Sequence, residues 1–188
     1  IALNACMTCS VGFRAPSVRS LVSEFAEAIA AGLDQELRYQ DRDLATQQSP
    51  AEISRATLAK IRALITEPLT FDYDSFVRWF GEYSSESRAG THAQPPSMPM
   101  DDYETLKAAL TIDSSISQST AVKFLFTNLG ENSLLFVDGR SFVTSREFAQ
   151  TVADNRSLAV QQLLESVTRS DDQHTLLELY RNGYLLIE

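Results

Sequence analysis

Three prolines in five residues, Pro95, Pro96 and Pro99, divide this chain. Proline fixes φ and donates no backbone hydrogen bond, so neither a helix nor a central strand can run through such a cluster. The whole stretch from Gly90 to Met100 reads as a linker. The hydrophobic period differs on its two sides. Before it, apolar residues recur at helical spacing; after it, alternation appears. A helical region followed by a mixed one is the arrangement this break allows.

On the helical side, Arg14-Ala15-Pro16 forces an extended exit from an opening segment, Ile1 to Phe13, that reads as a strand. Ser17 is an N-cap for a helix carrying Leu21, Val22, Phe25, Ala28 and Ile29, with Gly32 at its end. Asp34 to Gln48 reads as loop. Ser49-Pro50-Ala51-Glu52 has the form of a second helix start, with Ile53, Thr57, Ile61, Leu64 and Ile65 as its stripe. Asp72 or Asp74 starts a third helix with Tyr73, Phe76, Val77, Phe80 and Tyr83 on one face and Trp79 nearby. That aromatic stripe is core or a helix–helix dimer face.

Beyond the linker, Asp101 to about Leu110 reads as a short helix, and Thr111 to Thr120, rich in Ser and Thr, as irregular. Val122, Phe124 and Phe126 alternate as in a strand. Leu134 to Val137 and Arg140 to Val143 flank Asp138-Gly139, a dipeptide suited to the positive-φ turn of a hairpin. Ser145 to Asp154, Ser157 to Val167 and Asp171 to Asn182 read as helices. Gly183 caps the last, and Tyr184 to Ile187 reads as a closing strand. Strand, hairpin, helices and strand in this order make a small α+β domain of winged-helix type.

Composition narrows the partners. The formal net charge of −9 over 188 residues gives no electrostatic help toward phosphate backbones or anionic membranes. A basic protein surface fits it better. A DNA-binding winged-helix regulator is the rival reading, but it needs Lys and Arg on the helix entering the major groove. The last helix offers Asp171, Asp172 and Glu178 against Arg181. No apolar run is long enough for a membrane span, no signal peptide is evident, and the expected location is the cytoplasm. Cys6 and Cys9 stand alone, without the second pair that zinc would need. A stand-alone dimerisation or protein-interaction module remains a further alternative.

Ser10-Val11-Gly12-Phe13-Arg14-Ala15-Pro16 resembles the segment leaving the cupin barrel in the bacterial ribosomal oxygenases of the RoxA type. Leu21 to Ala28 resembles that family's next helix. Phe76 to Arg88, with Trp79-Phe80-Gly81-Glu82, resembles the helix of its dimerisation region. Leu134 to Gly139 resembles the strand and turn opening its winged-helix domain. Leu176 to Leu186, with Asn182-Gly183-Tyr184, resembles its final helix and strand. Order and spacing agree over nearly the whole chain.

The resemblance implies a parent enzyme of JmjC-like type. Such a parent uses Fe(II) and 2-oxoglutarate to hydroxylate an arginine of a large-subunit ribosomal protein. Its metal is held by a His-x-Asp pair and a distal His, which leave open positions on iron. Here His92 and His174 are the only histidines, and neither sits in such a pair. The distal His would fall just upstream of Ile1, so the chain reads as cut from a larger protein. It is expected to hold no cofactor itself. By strand alternation Cys6, Thr8 and Ser10 would edge the cosubstrate pocket of the intact enzyme, although the family usually has Asn-Tyr where this chain has Thr8-Cys9.

The expected organisation is α+β. A remnant of a cupin barrel strand occupies 1–16, a helical dimerisation domain 17–96 and a winged-helix-like domain 101–188. The resemblance implies a homodimer pairing through Tyr73, Phe76, Val77, Trp79, Phe80 and Tyr83, with a basic ribosomal protein as the parent's substrate and no nucleic-acid or membrane partner.

Overall fold

The computed structural model describes residues 15–36, 38–40, 49, 51–87, 92–111 and 114–187. The expected strand from Ile1 to Phe13 therefore lies outside the described residues. The chain divides into two compact units, Ile1–Phe71 and Asp72–Glu188.

The first unit contains α1 (Val18–Ala31) and α2 (Arg55–Thr66). Ser17 caps α1 by accepting from the Ser20 amide at 3.0 Å. The second helix starts later than its sequence suggests. The Ser49 carbonyl accepts a turn bond from the Glu52 amide, while Ser54 is the cap and accepts from Thr57 N at 3.1 Å. Ser54 stands directly before the Thr57, Ile61, Leu64 stripe, so capping there lets the whole stripe be helical. Ile53, assigned to that stripe by spacing, precedes the helix and is 68% exposed. Neither α1 nor α2 contains a buried residue. Phe25 of α1 meets Phe71 edge-on, with ring centroids 4.4 Å apart.

The second unit holds the core. Its elements run α3 (Tyr73–Ser85), α4 (Tyr103–Ala109), β1 (Ser115–Gln118), β2 (Phe124–Leu129), β3 (Asn132–Val137), β4 (Arg140–Thr144), α5 (Arg146–Asp154), β5 (Ser157–Ala159), α6 (Val160–Ser166), α7 (Ser170–Arg181) and β6 (Leu185–Ile187). Two antiparallel three-stranded sheets form, ordered β5-β1-β6 and β2-β3-β4. The second is a meander whose β3–β4 turn places Asp138 at φ 51 and Gly139 at φ 77. Two successive positive φ values match the right-handed twist of the flanking strands.

β3 is buried on both faces, which explains its unbroken apolar run, Leu134 to Val137. On one face Leu135 and Val137 join the core with Phe124 and Phe142. Helix α5 covers β2 and β3, and α7 packs on β4. α3 contacts all three strands and reaches the ring of Phe136, which has the opposite parity along β3. Phe148, Leu135, Leu163 and Leu179 are fully buried, each contributing roughly 1.5–3 kcal/mol by leaving water.

Two strands replace expected coil or helix. Ile116, in the Ser/Thr-rich stretch expected to be irregular, is 1% exposed and lies in β1. The stretch from Ser157 to Val167, expected as one helix, begins instead as β5, with Leu158 paired to Ile116. The backbone partners offered by β1 outweigh local helix preference there.

Candidate functional site

Cys6, Thr8 and Ser10 lie outside the described residues. Among the described residues, no three His, Cys, Asp or Glu side chains gather as a metal ion would require. His92 lies exposed in the linker and His174 exposed on α7. Two other regions carry the features that matter: the aromatic face of α3, and the surface around α7 and the β3–β4 turn.

Asp72 caps α3, accepting from Ser75 N at 2.7 Å. Those hydrogen bonds, from the Ser75 amide and then its hydroxyl, hold the Asp72 carboxyl below the usual carboxylate range. The helix carries an aromatic ladder. Phe76 and Phe80 stack at 6.1 Å between centroids, Trp79 and Tyr83 at 5.4 Å. Tyr73 is 72% exposed, Phe80 43% and Phe76 37%, whereas Val77, Trp79 and Tyr83 are half-buried. Spacing had placed these residues together. It could not show that β2 supplies an opposite wall. Tyr73, Phe76, Val77, Phe80 and Ser84 face Leu125 and Thr127 across a groove of about 360 Å³.

α3 is fixed to the sheet by its other side. Gly81 sits against the Phe136 ring, and a Cβ at that position would overlap it. The Gly139 amide donates to Ser85 Oγ at 3.1 Å. Arg78 donates to Ser141 Oγ, which in turn donates to Glu82. The Lys123 ammonium donates to the Ser84 and Glu86 carbonyls at 3.4 and 3.3 Å, placing a cation at the helix C-terminus, where the macrodipole favours one.

The same contacts decide what the β3–β4 hairpin can do. A winged-helix domain that grips DNA presents basic surface to phosphate and a helix to the major groove. Here the hairpin tip is tied to the end of α3, with Glu86 packed on Gly139. Helix α7 is mostly buried, through Asp172, Thr175, Leu176, Leu177, Leu179 and Tyr180. Between it and β4 lies a groove of about 570 Å³ whose lining includes Arg140, Asp171, His174 and Glu178. Arg140 is committed to Glu178 at 3.3 Å and also lies 5.2 Å from the Phe142 ring centroid.

Asp172, Arg181 and Tyr180, which carried no distinctive local signal, hold this region together with Gly183, the cap expected for the last helix. Asp172 is fully buried. It accepts from Ser145 N at 2.7 Å and from the amides of Thr168 and Arg169 at 3.0 Å, joining the starts of α5 and α7. Gly183 combines φ 69 with close passage of the linker, since a Cβ would collide with the Gln94 carbonyl. Arg181 donates through Nε to the Met100 carbonyl at 2.9 Å, and the Tyr180 hydroxyl donates to Met98 O at 2.9 Å. The proline-rich linker is thus bound along the end of α7. Where α4 begins, Asp102 caps it, and the Thr105 amide lowers its pKa as Ser75 does for Asp72.

A family model described as ROXA-like winged helix matches residues 68–186. A ribosomal protein uL16 3-hydroxylase of Escherichia coli (strain K12) is 37% identical over 112 residues, covering 56% of this chain and 29% of that protein. An X-ray structure of E. coli ycfD superposes with a TM-score of 0.70 at 24% identity, covering 95% of this chain and 46% of the other. A structure of YcfD, a ribosomal oxygenase from E. coli in complex with cobalt and 2-oxoglutarate, gives a TM-score of 0.66 at 24% identity, covering 95% and 48%. These structures share the fold. The chain spans about half their length, and less than a third of the curated relative.

Proposed function

Because the chain belongs to the ROXA-like winged-helix family, we propose that it is the C-terminal dimerisation and substrate-positioning region of a ribosomal oxygenase. The parent enzyme would use Fe(II) and 2-oxoglutarate to hydroxylate an arginine of a large-subunit ribosomal protein, acting in the cytoplasm. The observation that carries this reading is the match over 68–186, which takes in α3 and the linker as well as the winged-helix core. The likeness to a uL16 hydroxylase supplies the substrate class.

The described residues do not fit an iron site, since no suitable ligand cluster occurs among them. No catalytic step is therefore assigned to them, and the chain by itself is read as inactive. Its proposed work is mechanical. Residues 1–71 are close to neutral, with seven Lys/Arg against eight Asp/Glu, and α1 and α2 keep no apolar side chain fully from water. Large exposed apolar surface of this kind marks an interface. The homodimer would use this helical region and the α3 face formed by Tyr73, Phe76, Val77, Trp79, Phe80 and Tyr83. The acidic remainder would guide a basic ribosomal protein.

Calorimetry with Fe(II) and Mn(II), followed by a 2-oxoglutarate turnover assay, tests the inactive role. The expected result is no stoichiometric metal binding and no turnover by the chain alone. Metal binding with turnover would overturn it. Binding of a Lys/Arg-rich uL16 segment that weakens with salt is expected from the positioning role, and its absence would remove that role.

A further inference from the structure

We propose that Asn182 is a site of spontaneous deamidation, with water as co-reactant, that the proline-rich linker holds silent. The fold itself creates the reactive pair. Gly183 has φ 69, and a Cβ there would collide with the Gln94 carbonyl, so only glycine fits. A glycine after asparagine leaves the next backbone nitrogen least hindered in its approach to the side-chain carbonyl carbon. Asn182-Gly183 is the chain's one Asn-Gly pair. In the reaction the Gly183 nitrogen bonds to Asn182 Cγ and gives up its proton. The bond from Cγ to Nδ2 breaks, and Nδ2 leaves as ammonia. Water then opens the cyclic imide at either carbonyl, giving aspartate or isoaspartate. One water is consumed and one ammonia is released.

With the linker in place, both reacting groups are occupied. The Gly183 amide, which would be the nucleophile, donates to the Tyr180 carbonyl at 2.9 Å. Asn182 Nδ2, which would be the leaving group, donates to the Glu178 carbonyl at 2.7 Å. Ring closure also requires the Gly183 nitrogen to eclipse Asn182 Cβ, and the ψ of 0 at Asn182 turns it away. Correcting that angle means rotating the peptide between them, while Gly183 is buried with the Gln94 carbonyl against it. Two hydrogen bonds fasten the linker on either side of this step: Tyr180 Oη to the Met98 carbonyl and Arg181 Nε to the Met100 carbonyl. Lifting the linker therefore exposes the site. The product does not restore the closed state. A carboxylate at Asn182 loses the donor to Glu178 O and stands at the C-terminal end of α7, where the macrodipole disfavours an anion. The modification thus leaves a lasting mark of linker opening. Asp138-Gly139 forms the same kind of imide, but its glycine amide is held by Ser85 Oγ at 3.1 Å and packs on Glu86, away from the linker. It serves as the reference for general unfolding.

The experiment is a time course of the full chain in mildly alkaline buffer, read by peptide mass spectrometry for aspartate and isoaspartate at Asn182 and for isoaspartate at Asp138. The samples are the unmodified chain, the same chain in guanidinium, Tyr180→Phe, and Tyr180→Phe combined with Arg181→Gln. Circular dichroism establishes which are folded. Deamidation at Asn182 is expected to be slow in the folded chain and more than about ten-fold faster in guanidinium. The double variant, without both linker bonds, should react about ten-fold faster than the unmodified chain while folded, with Tyr180→Phe between them. Isoaspartate at Asp138 should stay at its unmodified level in every folded sample. Tyr180→Phe keeps the ring in place, so the comparison survives should the Arg181 change prevent folding. Equal rates with and without guanidinium would overturn the proposal. Folded variants no faster than the unmodified chain would overturn the role of the linker. A rise at Asp138 in step with Asn182 would assign the reaction to general unfolding and overturn it as well. Asn182→Asp should show faster hydrogen exchange at the Gly183 amide than the unmodified chain, and unchanged exchange would overturn the lasting mark.

Discussion

Asp172 shows how much one side chain can carry in this domain. Its carboxylate accepts three backbone amides from two helix starts while fully buried. Replacing it with alanine leaves those donors without a partner, and a buried unsatisfied group costs about 1–3 kcal/mol. Asp172→Ala is therefore expected to lower the unfolding free energy by about 2–4 kcal/mol, read as a lower urea midpoint at unchanged slope. The exposed caps behave differently. Asp72 and Asp102 have pKa values lowered by hydrogen bonds from Ser75 and Thr105. A lowered folded-state pKa means the cap's contribution is complete above the ordinary carboxylate range and is lost as pH falls through the lowered value. Carboxyl NMR titration should place both midpoints below those of unstructured aspartates; midpoints at or above them would contradict the cap geometry. Ser17 was legible as a cap, and Asp72 as one of two starts with Asp74, because a cap is a local pattern: the residue lies three positions from the amide it serves. The role of Asp172 was not, because one of its partners, Ser145, lies 27 residues away.

Helix α3 makes the same point for elements. Its existence and its aromatic face followed from spacing, but the surface it packs on did not. A helical period specifies which residues share a face; it does not name the partner. The contacts of α3 with β2, β3 and β4 are of this kind, since no residue spacing within α3 names those strands. Gly81 is where that packing is closest, and its significance was hidden inside an otherwise aromatic string. Gly81→Val should force α3 away from Phe136 and cost about 1–3 kcal/mol as overpacking. Trp79 is the chain's one tryptophan and lies on this helix, so its fluorescence reports the change. A red-shifted emission with a lower urea midpoint is expected; an unchanged spectrum would mean that α3 does not depend on this close approach. The hairpin was legible because Asp138-Gly139 encodes its own turn. β1 and β5 were not, since each has only three or four residues and is defined by pairing with the other.

At the scale of the whole molecule, charge separates the possible partners. Nearly all of the chain's −9 resides in residues 72–188, the unit whose fold would otherwise suggest DNA binding. Phosphate neutralisation supplies most non-specific DNA affinity, and it falls steeply with salt. A unit with net −8 starts from repulsion, and the structure adds that its hairpin tip is tied to α3 and its last helix is packed against β4. None of the described residues forms a helix long and apolar enough to cross a membrane. The chain is therefore expected to give no sub-micromolar shift of any double-stranded probe at physiological ionic strength. A uL16-derived basic segment should associate with it, and that association should weaken as salt screens the attraction over roughly 8–10 Å. Arg140 separates charge from shape in this test. Its guanidinium is held by Glu178 Oε2, so Arg140→Gln removes a cation from the acidic surface and releases that oxygen, the other staying 3.6 Å from Arg181. If electrostatics guide the basic partner, this variant should bind it more tightly at low salt and equally at high salt. A weaker complex at both salt concentrations would mean that Arg140 itself is part of the contact.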